Sequence, residues 1–436
     1  MVIINKKHEA GWLGTGHYGI ATHAEESVRN GARHIRDVAA GTAGEPTPKE
    51  SGLAALLAVN QGMISYTPAE IAQGNFERRL AADGDAGRFI PLADVPDVIW
   101  KQLPKSIDEH DGRVGGRDTV RAGFASDGPE HPNHYADIDV SVDGETTWRE
   151  RCLADPDLIA PRTWLRDLYG VLDVAPKHQG LLPFRVWQLF DGMVDFVRAR
   201  DLSGFLAAAG VCAHYVGDAA QPLHGSALSN GDPSRDVYRT GRDGKAHRFD
   251  YGDGVHLAYE GTLITHNARE VIDGIAALAP TMRSAPAITT GRGAARAVLQ
   301  LMHDVAAILT PIDIVNCYQT ARTQYETNPE TIPPHLTKTT AITTDMWKQL
   351  GGSTIEVMRR GSDVLANIWE SAWVTGGGRD ITVEQVSQHT ITKDALQALY
   401  TDPDFMPSRR LDEIEDQLRP WRRQTLARNG DRHTQR

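Results

Sequence analysis

The sequence predicts an all-α protein, and three observations support that prediction. Apolar residues recur at helical spacing in "PFRVWQLFDGMVDFVRAR" (residues 183–200), where they form one stripe. The stripe comprises Val186, Trp187, Phe190, Met193, Val194 and Val197. The next segment, "LSGFLAAAGVCAHYVGD", is apolar and rich in small residues, which is typical of a helix buried among other helices. Strand-like alternation is scarce, so we expect one multi-helix domain from residue 11 to residue 374.

A third helical pattern marks the C-terminal boundary of that domain. The segment "GGSTIEVMRRGSDVLANIWESAW" carries apolar residues at helical spacing and is followed by the glycines Gly376–Gly378. We therefore place a domain end there. Residues 379–436 are expected to form a charged C-terminal extension of unknown role, frayed at its end.

Two polar stretches interrupt the helical pattern. A long segment, residues 42–120, is expected to be an insertion in the helical domain. The second stretch, residues 225–254, is rich in Gly, Asp and Arg and is expected to be a loop.

Composition limits the function classes. With 40% hydrophobic residues the chain can bury a sizeable core, and its net charge of -11 argues against a protein that coats nucleic acid. Three cysteines without CxxC spacing leave the redox compartment open. No run approaches the ~18–20 apolar residues of a membrane span, and the first residues lack the apolar core of a signal peptide. We expect an extracellular or exported protein whose leader is removed or that uses another route; the alternative is that it stays inside the cell.

The segment "HYVGDAAQPLH" is the first candidate metal site. Residues four apart share a face of a helix, so His214 and Asp218 project the same way. Pro222 interrupts the helix, which leaves His224 just past the break and able to turn toward the other two. Two imidazoles and a carboxylate that converge in this way suit zinc.

Further His and carboxylate residues extend this pattern. A second pair with the same spacing, His256 and Glu260, lies in "GDGVHLAYEG". The pairs together with His224 offer more ligands than one tetrahedral zinc can use, which favours two or more metal ions. Two other segments are rich in candidate ligands: "GWLGTGHYGIATH" and "GFASDGPEHPNHYADID".

In their order, these segments resemble the zinc-dependent phospholipase C family and its sister family of single-strand-specific nucleases. The resemblance rests on five motifs and covers roughly residues 11–374. They are W-x-x-x-G-H at Trp12–His17, "FASD" ending at Asp127, "HYAD" starting at His134, the central "HYVGDAAQPLH", and "HLAYE" at His256–Glu260. The resemblance implies an all-α catalytic domain with three zinc ions.

The resemblance also implies which residues bind the zinc ions. The implied metal ligands are Trp12, His17, Asp127, His134, His214, Asp218, His224, His256 and Glu260. Asp127 is implied as the catalytic residue that orients or deprotonates the attacking water. Asp127 lies closer to His134 than is usual in the family, so Asp118 is the fallback ligand. Eleven residues precede Trp12, whereas the family binds zinc through a free N-terminal amine. His178 has no counterpart in the motifs.

The resemblance implies phosphodiester hydrolysis. Zinc supplies hydroxide at neutral pH and stabilises charge on phosphoryl oxygens. We expect a phospholipase C that binds phospholipid at a membrane surface and releases diacylglycerol and a phosphorylated head group. The alternative is a single-strand-specific nuclease or 3′-nucleotidase acting on single-stranded nucleic acid. A third reading, from another class, is a non-catalytic helical module stabilised by metal ions. The sequence leaves the oligomeric state open.

Overall fold

The computed structural model describes residues 15–31, 35–36, 52–73, 89–101, 129–240, 244–278 and 285–418. Helices dominate these ranges, which confirms the predicted all-α class. The α-helices are α1 Thr15–Arg29, α2 Gly52–Val59, α3 Pro68–Gln73, α4 Trp148–Ala154, α5 Pro161–Thr163, α6 Leu182–Arg198, α7 Leu202–Ala220, α8 Ile264–His266, α9 Ala268–Ala277, α10 Gly291–Ile308, α11 Pro311–Thr327, α12 Lys338–Thr375, α13 Val383–Ser387, α14 Lys393–Tyr400 and α15 Leu411–Leu418. The strands are β1 Ile35–Arg36, β2 Asp232–Thr240, β3 Ala246–Tyr251 and β4 Ala285–Pro286.

Short 3₁₀ and π turns connect the helices and carry several of the predicted site residues. The 3₁₀ turns are Leu92–Asp94, His131–His134, Pro156–Leu158, Pro176–His178, Pro222–Gly225, Pro329–Thr331 and Gly378–Asp380. The π turns are Pro96–Trp100, Trp164–Tyr169 and Leu257–Leu263. π turns are rare and occur often at functional sites.

Helix α12 is the longest element, at 38 residues, and it forms the spine of the domain. Thr337 caps its start, and the Thr337 hydroxyl accepts a hydrogen bond from the Thr340 backbone N–H. It ends before Gly377, which has a left-handed backbone conformation with φ of 84°. Helices α1, α7, α10 and α11 all pack against α12, because its apolar residues are buried along most of its length.

Helices α6 and α7 pack against each other as the sequence predicts. The predicted stripe of α6 is buried apart from Trp187, which is half-buried and donates a hydrogen bond to Asp191 at 2.9 Å. Helix α7 is buried along nearly all its length. The Asp201 carboxylate caps its start by accepting from the Gly204 N–H at 2.9 Å, and Pro222 follows its end. This pair therefore fixes the position of His214 and Asp218 within the core.

The predicted loop at residues 225–254 contains an antiparallel hairpin of β2 and β3. Val237 pairs with Phe249 and Tyr238 pairs with Arg248. The alternation of β-forming and polar residues in this segment escaped the sequence analysis because charged residues and glycines outnumber apolar ones. Arg235 lies over the Tyr251 ring at 3.6 Å, which covers part of the hairpin.

The chain beyond Gly378 continues on the same core up to Leu418. Trp100 donates from Nε1 to the Tyr400 carbonyl at 2.8 Å, and the Phe405 ring stacks on Phe196. Leu396 and Leu411 are buried against the helical domain. The expected boundary at Gly376–Gly378 is therefore a turn between packed helices, because residues 379–418 carry apolar residues at helical spacing. Residues 419–436 lie outside the described ranges.

Within the described ranges, no single helix is long and apolar enough to cross a membrane. A bent pair, Gly291–Ile308 and Pro311–Thr327, satisfies the same criteria of length and composition when the two helices are joined.

Candidate metal centre

The structure brings seven of the predicted ligands into one buried region. Three sets of side chains have ligand atoms within 4.8 Å of one another: His17, Asp97 and His214; His134, His214 and Asp218; and His224, His256 and Glu260. The first two sets share His214, so we call their five residues the first group. We call His224, His256 and Glu260 the second group. Each of these groupings could hold a metal ion.

The local sequence explains why the ligands of α7 meet those of α1. His214 and Asp218 are one turn apart on the same face of α7, as predicted. Gly217 lies between them, and a Cβ at this position would come within 2.6 Å of His17 Nδ1. Only glycine leaves room for the His17 ring, which stacks on the His214 ring with centroids 3.8 Å apart.

Close contacts between ligand atoms define the first group. His134 Nδ1 lies 2.9 Å from Asp218 Oδ2 and 3.0 Å from His214 Nε2. Asp97 Oδ1 lies 3.7 Å from His214 Nε2 and 3.8 Å from His134 Nδ1. His17 Nε2 lies 3.7 Å from Asp218 Oδ1. The nitrogen and oxygen atoms therefore converge from four separate segments of the chain in two overlapping sets.

The second group lies beside the break after α7. His256 Nε2 lies 3.0 Å from Glu260 Oε1, and His224 Nε2 lies 3.2 Å from Glu260 Oε2. Gln221 donates from Nε2 to Glu260 Oε2 at 3.0 Å. Asp218 Oδ1 lies 3.4 Å from His224 Nδ1, which connects the two groups.

The outer ring nitrogens are held by protein acceptors. In His214, His224 and His256, Nδ1 faces the carbonyl oxygens of Ala93, His134 and Ser229 at 2.9, 2.6 and 2.8 Å. In His134 the outer nitrogen is Nε2, which lies 3.0 Å from Glu130 Oε1. An acceptor on the outer nitrogen fixes the proton there and leaves the lone pair of the inner nitrogen directed at the group. Metal-binding histidines are held in this way.

Burial and charge in the first group also suit a cation. Burial raises the pKa of Asp218 well above its usual value, and the Asp97 carboxylate raises it further. Burial lowers the pKa of His214 to about 4 and that of His134 well below its usual value. Asp218 Oδ1 is buried and receives no hydrogen bond from the described residues. A group of neutral imidazoles and crowded carboxylates is stabilised by a divalent cation.

In the second group, the neighbouring imidazoles offset the effect of burial on the carboxylate. Burial acts to raise the pKa of Glu260, but the neighbouring His256 and His224 imidazoles outweigh it, so that the pKa is lowered. The Glu260 carboxylate is therefore compatible with its surroundings even without an ion.

Sequence reasoning missed Asp97. It lies in the π turn Pro96–Trp100 and pairs with Lys101, with Nζ 2.6 Å from Oδ1. It stands beside His134 and His214, where the resemblance implies Asp127. Asp97 belongs to no motif and lies inside the presumed insertion, so only its place before a buried aromatic residue could have drawn attention to it. Trp12, Asp118 and Asp127 lie outside the described residues.

Two further residues, His178 and Glu130, lie outside both ligand groups. His178 lies in the 3₁₀ turn Pro176–His178 and belongs to none of the three sets. Glu130, which no motif includes, contacts His134 from the side opposite the group.

Comparison with known proteins gives a different indication of function. No family model matches the chain, and no solved structure matches it significantly. The chain is 40% identical over 425 residues to a protein of Bradyrhizobium tropiciagri named "probable serine protease". The alignment covers 93% of this chain and 49% of that protein, so the chain spans about half the length of the relative it matches.

This similarity corrects the predicted function. A relative named as a protease contradicts the prediction of a phospholipase C or nuclease, and with it phosphodiester cleavage and lipid degradation. The physical reason is that the motifs behind the prediction consist of metal ligands, which do not determine the bond that is cleaved. The broader prediction of a hydrolase agrees with the relative's name.

A serine hydrolase needs a serine hydroxyl near a histidine that is oriented by a third group. In the described part of the chain, Ser203 Oγ lies 3.4 Å from His389 Nε2. This distance exceeds the ~2.6–3.2 Å of a nucleophile and its base. No carboxylate among the described residues pairs with the His389 ring, so this contact lacks the arrangement of a catalytic triad.

Proposed function

We propose that this chain is a zinc-dependent hydrolase with a buried centre that holds three ions. The observation that carries the proposal is the orientation of four histidines. Each has its outer nitrogen on a protein acceptor and its inner nitrogen directed at buried carboxylates. From the family resemblance the proposal keeps the ligand order and the number of ions, and leaves out the substrate.

The residues divide into holders of separate ions. The second group would hold one ion through two imidazoles and a carboxylate. His134, His214 and Asp97 would hold another together with Asp218, and His17 with Asp218 would contribute to a third. When bound, zinc acts as a Lewis acid and lowers the pKa of coordinated water. Imidazole and carboxylate donors are those that zinc prefers.

Asp218 and Lys101 also hold the ligands in position. Asp218 faces ligands of both groups and keeps them in register. Lys101 holds Asp97 in place through its ion pair. The substrate class that we propose is the peptide bond, because the similar protein is named as a protease.

The proposal is tested by metal analysis together with protein hydrolysis. The purified chain is analysed for zinc and incubated with casein, alone, with 1,10-phenanthroline, or with a fluorophosphonate that labels active serines. His214→Ala removes a ligand, and Ser203→Ala removes the hydroxyl beside His389. We expect bound zinc and casein cleavage that chelation and His214→Ala abolish but that the fluorophosphonate and Ser203→Ala leave intact.

Three results would overturn the proposal or part of it. A correctly folded protein that contains no zinc would reject the metal centre. Cleavage that the fluorophosphonate blocks and the chelator does not would assign the reaction to a serine. Bound zinc without any casein cleavage would reject the peptide substrate class.

A further inference from the structure

Glu130 is a buried carboxylate that faces away from both ligand groups, and it is 4% exposed. It lies four residues before His134 at the start of the 3₁₀ turn His131–His134. It belongs to no motif of the sequence. It hydrogen-bonds to the first group through His134, whose Nε2 lies 3.0 Å from Oε1.

Both oxygens of Glu130 accept from donors on different elements. Oε1 accepts from the Tyr215 hydroxyl on α7 at 2.7 Å, as well as from His134. Oε2 accepts from Asn133 Nδ2 at 3.2 Å and from the Ser408 hydroxyl. A carboxylate accepts hydrogen bonds, so the contact with Oε1 favours the His134 tautomer with its proton on Nε2. This leaves the Nδ1 lone pair for an ion in the first group.

His134 differs from the other histidines in the nature of its outer acceptor. His214, His224 and His256 each face a backbone carbonyl, whereas His134 faces a carboxylate. A carboxylate is the stronger acceptor because the hydrogen bond is charge-assisted. It makes the imidazole a better metal donor and fixes its ring orientation.

The C-terminal part of the chain holds Glu130 in turn. Ser408 follows Pro407, whose carbonyl accepts from Arg185 NH1 at 3.3 Å and from Gln188 Nε2 at 3.1 Å. Arg185 is fully buried, and its guanidinium lies over the Tyr215 ring at 5.2 Å. Residues 405–408 are therefore anchored to α6 on one side and to Glu130 on the other.

We propose that Glu130 is a positioning residue for His134 and that residues 405–408 hold Glu130, so that the C-terminal part of the chain sets the metal affinity of the first group. This inference rests on the proposed metal centre. It gives a function to a segment that the sequence analysis treated as an extension. The second group has no contact with Glu130 in the hydrogen bonds of the described residues.

The test measures metal affinity for each ion separately. Metal-free protein is titrated with Zn²⁺ against a chromophoric chelator, and with Co²⁺ while its visible spectrum is recorded. The variants are Glu130→Gln, Ser408→Ala and the double variant. Glu384→Gln, an exposed glutamate in the first turn of α13, is the matched control.

We expect Glu130→Gln to weaken one ion by about 10- to 100-fold and to leave the ion of the second group unchanged. Ser408→Ala should weaken the same ion by less than about tenfold and should have no further effect in the Glu130→Gln background. Glu384→Gln should bind like the wild type.

The outcomes separate this inference from the proposed function. A wild-type protein without bound ions overturns the metal centre itself. Wild-type affinity of Glu130→Gln for every ion overturns the positioning role, and equal weakening of every ion assigns Glu130 to the fold in general. If Glu130→Gln fails to fold by circular dichroism, Ser408→Ala decides, and unchanged affinity in that variant overturns the proposal.

Discussion

The two ligand groups are built in different ways, although Asp218 contacts both. The first group gathers residues from α1, the turns Pro96–Trp100 and His131–His134, and α7. The second group comes from one stretch of chain between His224 and Glu260. The first group contains two carboxylates close to each other, whereas the second has one carboxylate between two imidazoles.

This difference has electrostatic consequences. The pKa of Asp218 is raised by burial and by Asp97, whereas the pKa of Glu260 is lowered by His256 and His224 despite burial. Without ions, the first group is therefore under charge strain at neutral pH and the second is not. Metal ions should contribute more to the stability of the first group than to that of the second.

The largest effect is expected from Asp218→Asn, because this carboxylate contacts ligands of both groups. With zinc present at about 100 times Kd, each lost ion removes about 2.7 kcal/mol of stability. The variant should lose at least the ions of the first group, as measured by elemental analysis and by urea unfolding. When a chelator removes the zinc, the effect of Asp218→Asn on stability is expected to change sign. A raised pKa makes the ionised Asp218 costly above its usual pKa, so the neutral variant should unfold at the same urea concentration as the wild type or higher.

Asp273→Asn, on an exposed part of α9, is the control for this variant. Full zinc content in Asp218→Asn would contradict the shared role of this carboxylate.

Glu260→Gln should give the opposite result in a chelator. A lowered pKa means that the ionised carboxylate stabilises the fold above its usual pKa and loses this contribution as the pH falls through the lowered value. At pH 7.5 we therefore expect the metal-free variant to be less stable than the metal-free wild type. With zinc, it should lose one ion. If the metal-free variants of Asp218 and Glu260 shift in the same direction, the electrostatic contrast between the groups is wrong.

Glu25→Gln tests how burial of a carboxylate outside both groups affects stability. It lies on α1 with His17, and burial raises its pKa to about 7, although Arg29 Nε is 3.4 Å away. The protonated form is favoured in the fold, so the contribution of Glu25 to stability is highest below pH 4.5, falls as the pH rises to about 7 and levels off above it. Glu25→Gln should remove this loss, worth about 3 kcal/mol at pH 8 and little at pH 5. If the unfolding free energies of the variant and the wild type differ by the same amount at both pH values, the raised pKa of Glu25 is contradicted.

The smallest effect is expected from Gly217→Ala, which tests the packing of the first group alone. The added methyl would lie 2.6 Å from His17 Nδ1, so α1 and α7 must separate, at a cost of about 1 to 3 kcal/mol. Gly352→Ala is the matched control, because a methyl there meets nothing within 4 Å on α12. Urea unfolding should show a loss for the first variant and none for the second. A similar outcome for both would mean that His17 does not need this close approach.

Local patterns made part of this molecule predictable from the sequence. The stripe on α6, the burial of α7 and the helix break at Pro222 depend on neighbouring residues, and the structure confirms them. The hairpin of β2 and β3 was missed because its strands are mostly polar and pair with each other. The packed helices after Gly378 were missed because a glycine turn gives the same signal whether a domain ends or continues.

The sequence by itself determined the helical class and the spacing of the pairs His214/Asp218 and His256/Glu260, since each depends on residues close in the chain. The tertiary structure alone decided that Asp97 joins the first group and that Ser408 supports Glu130. These contacts join residues far apart in the chain, and no local pattern encodes them. The physical reason is that helix periodicity acts over a few residues, whereas burial of charge is resolved only when distant segments fold together.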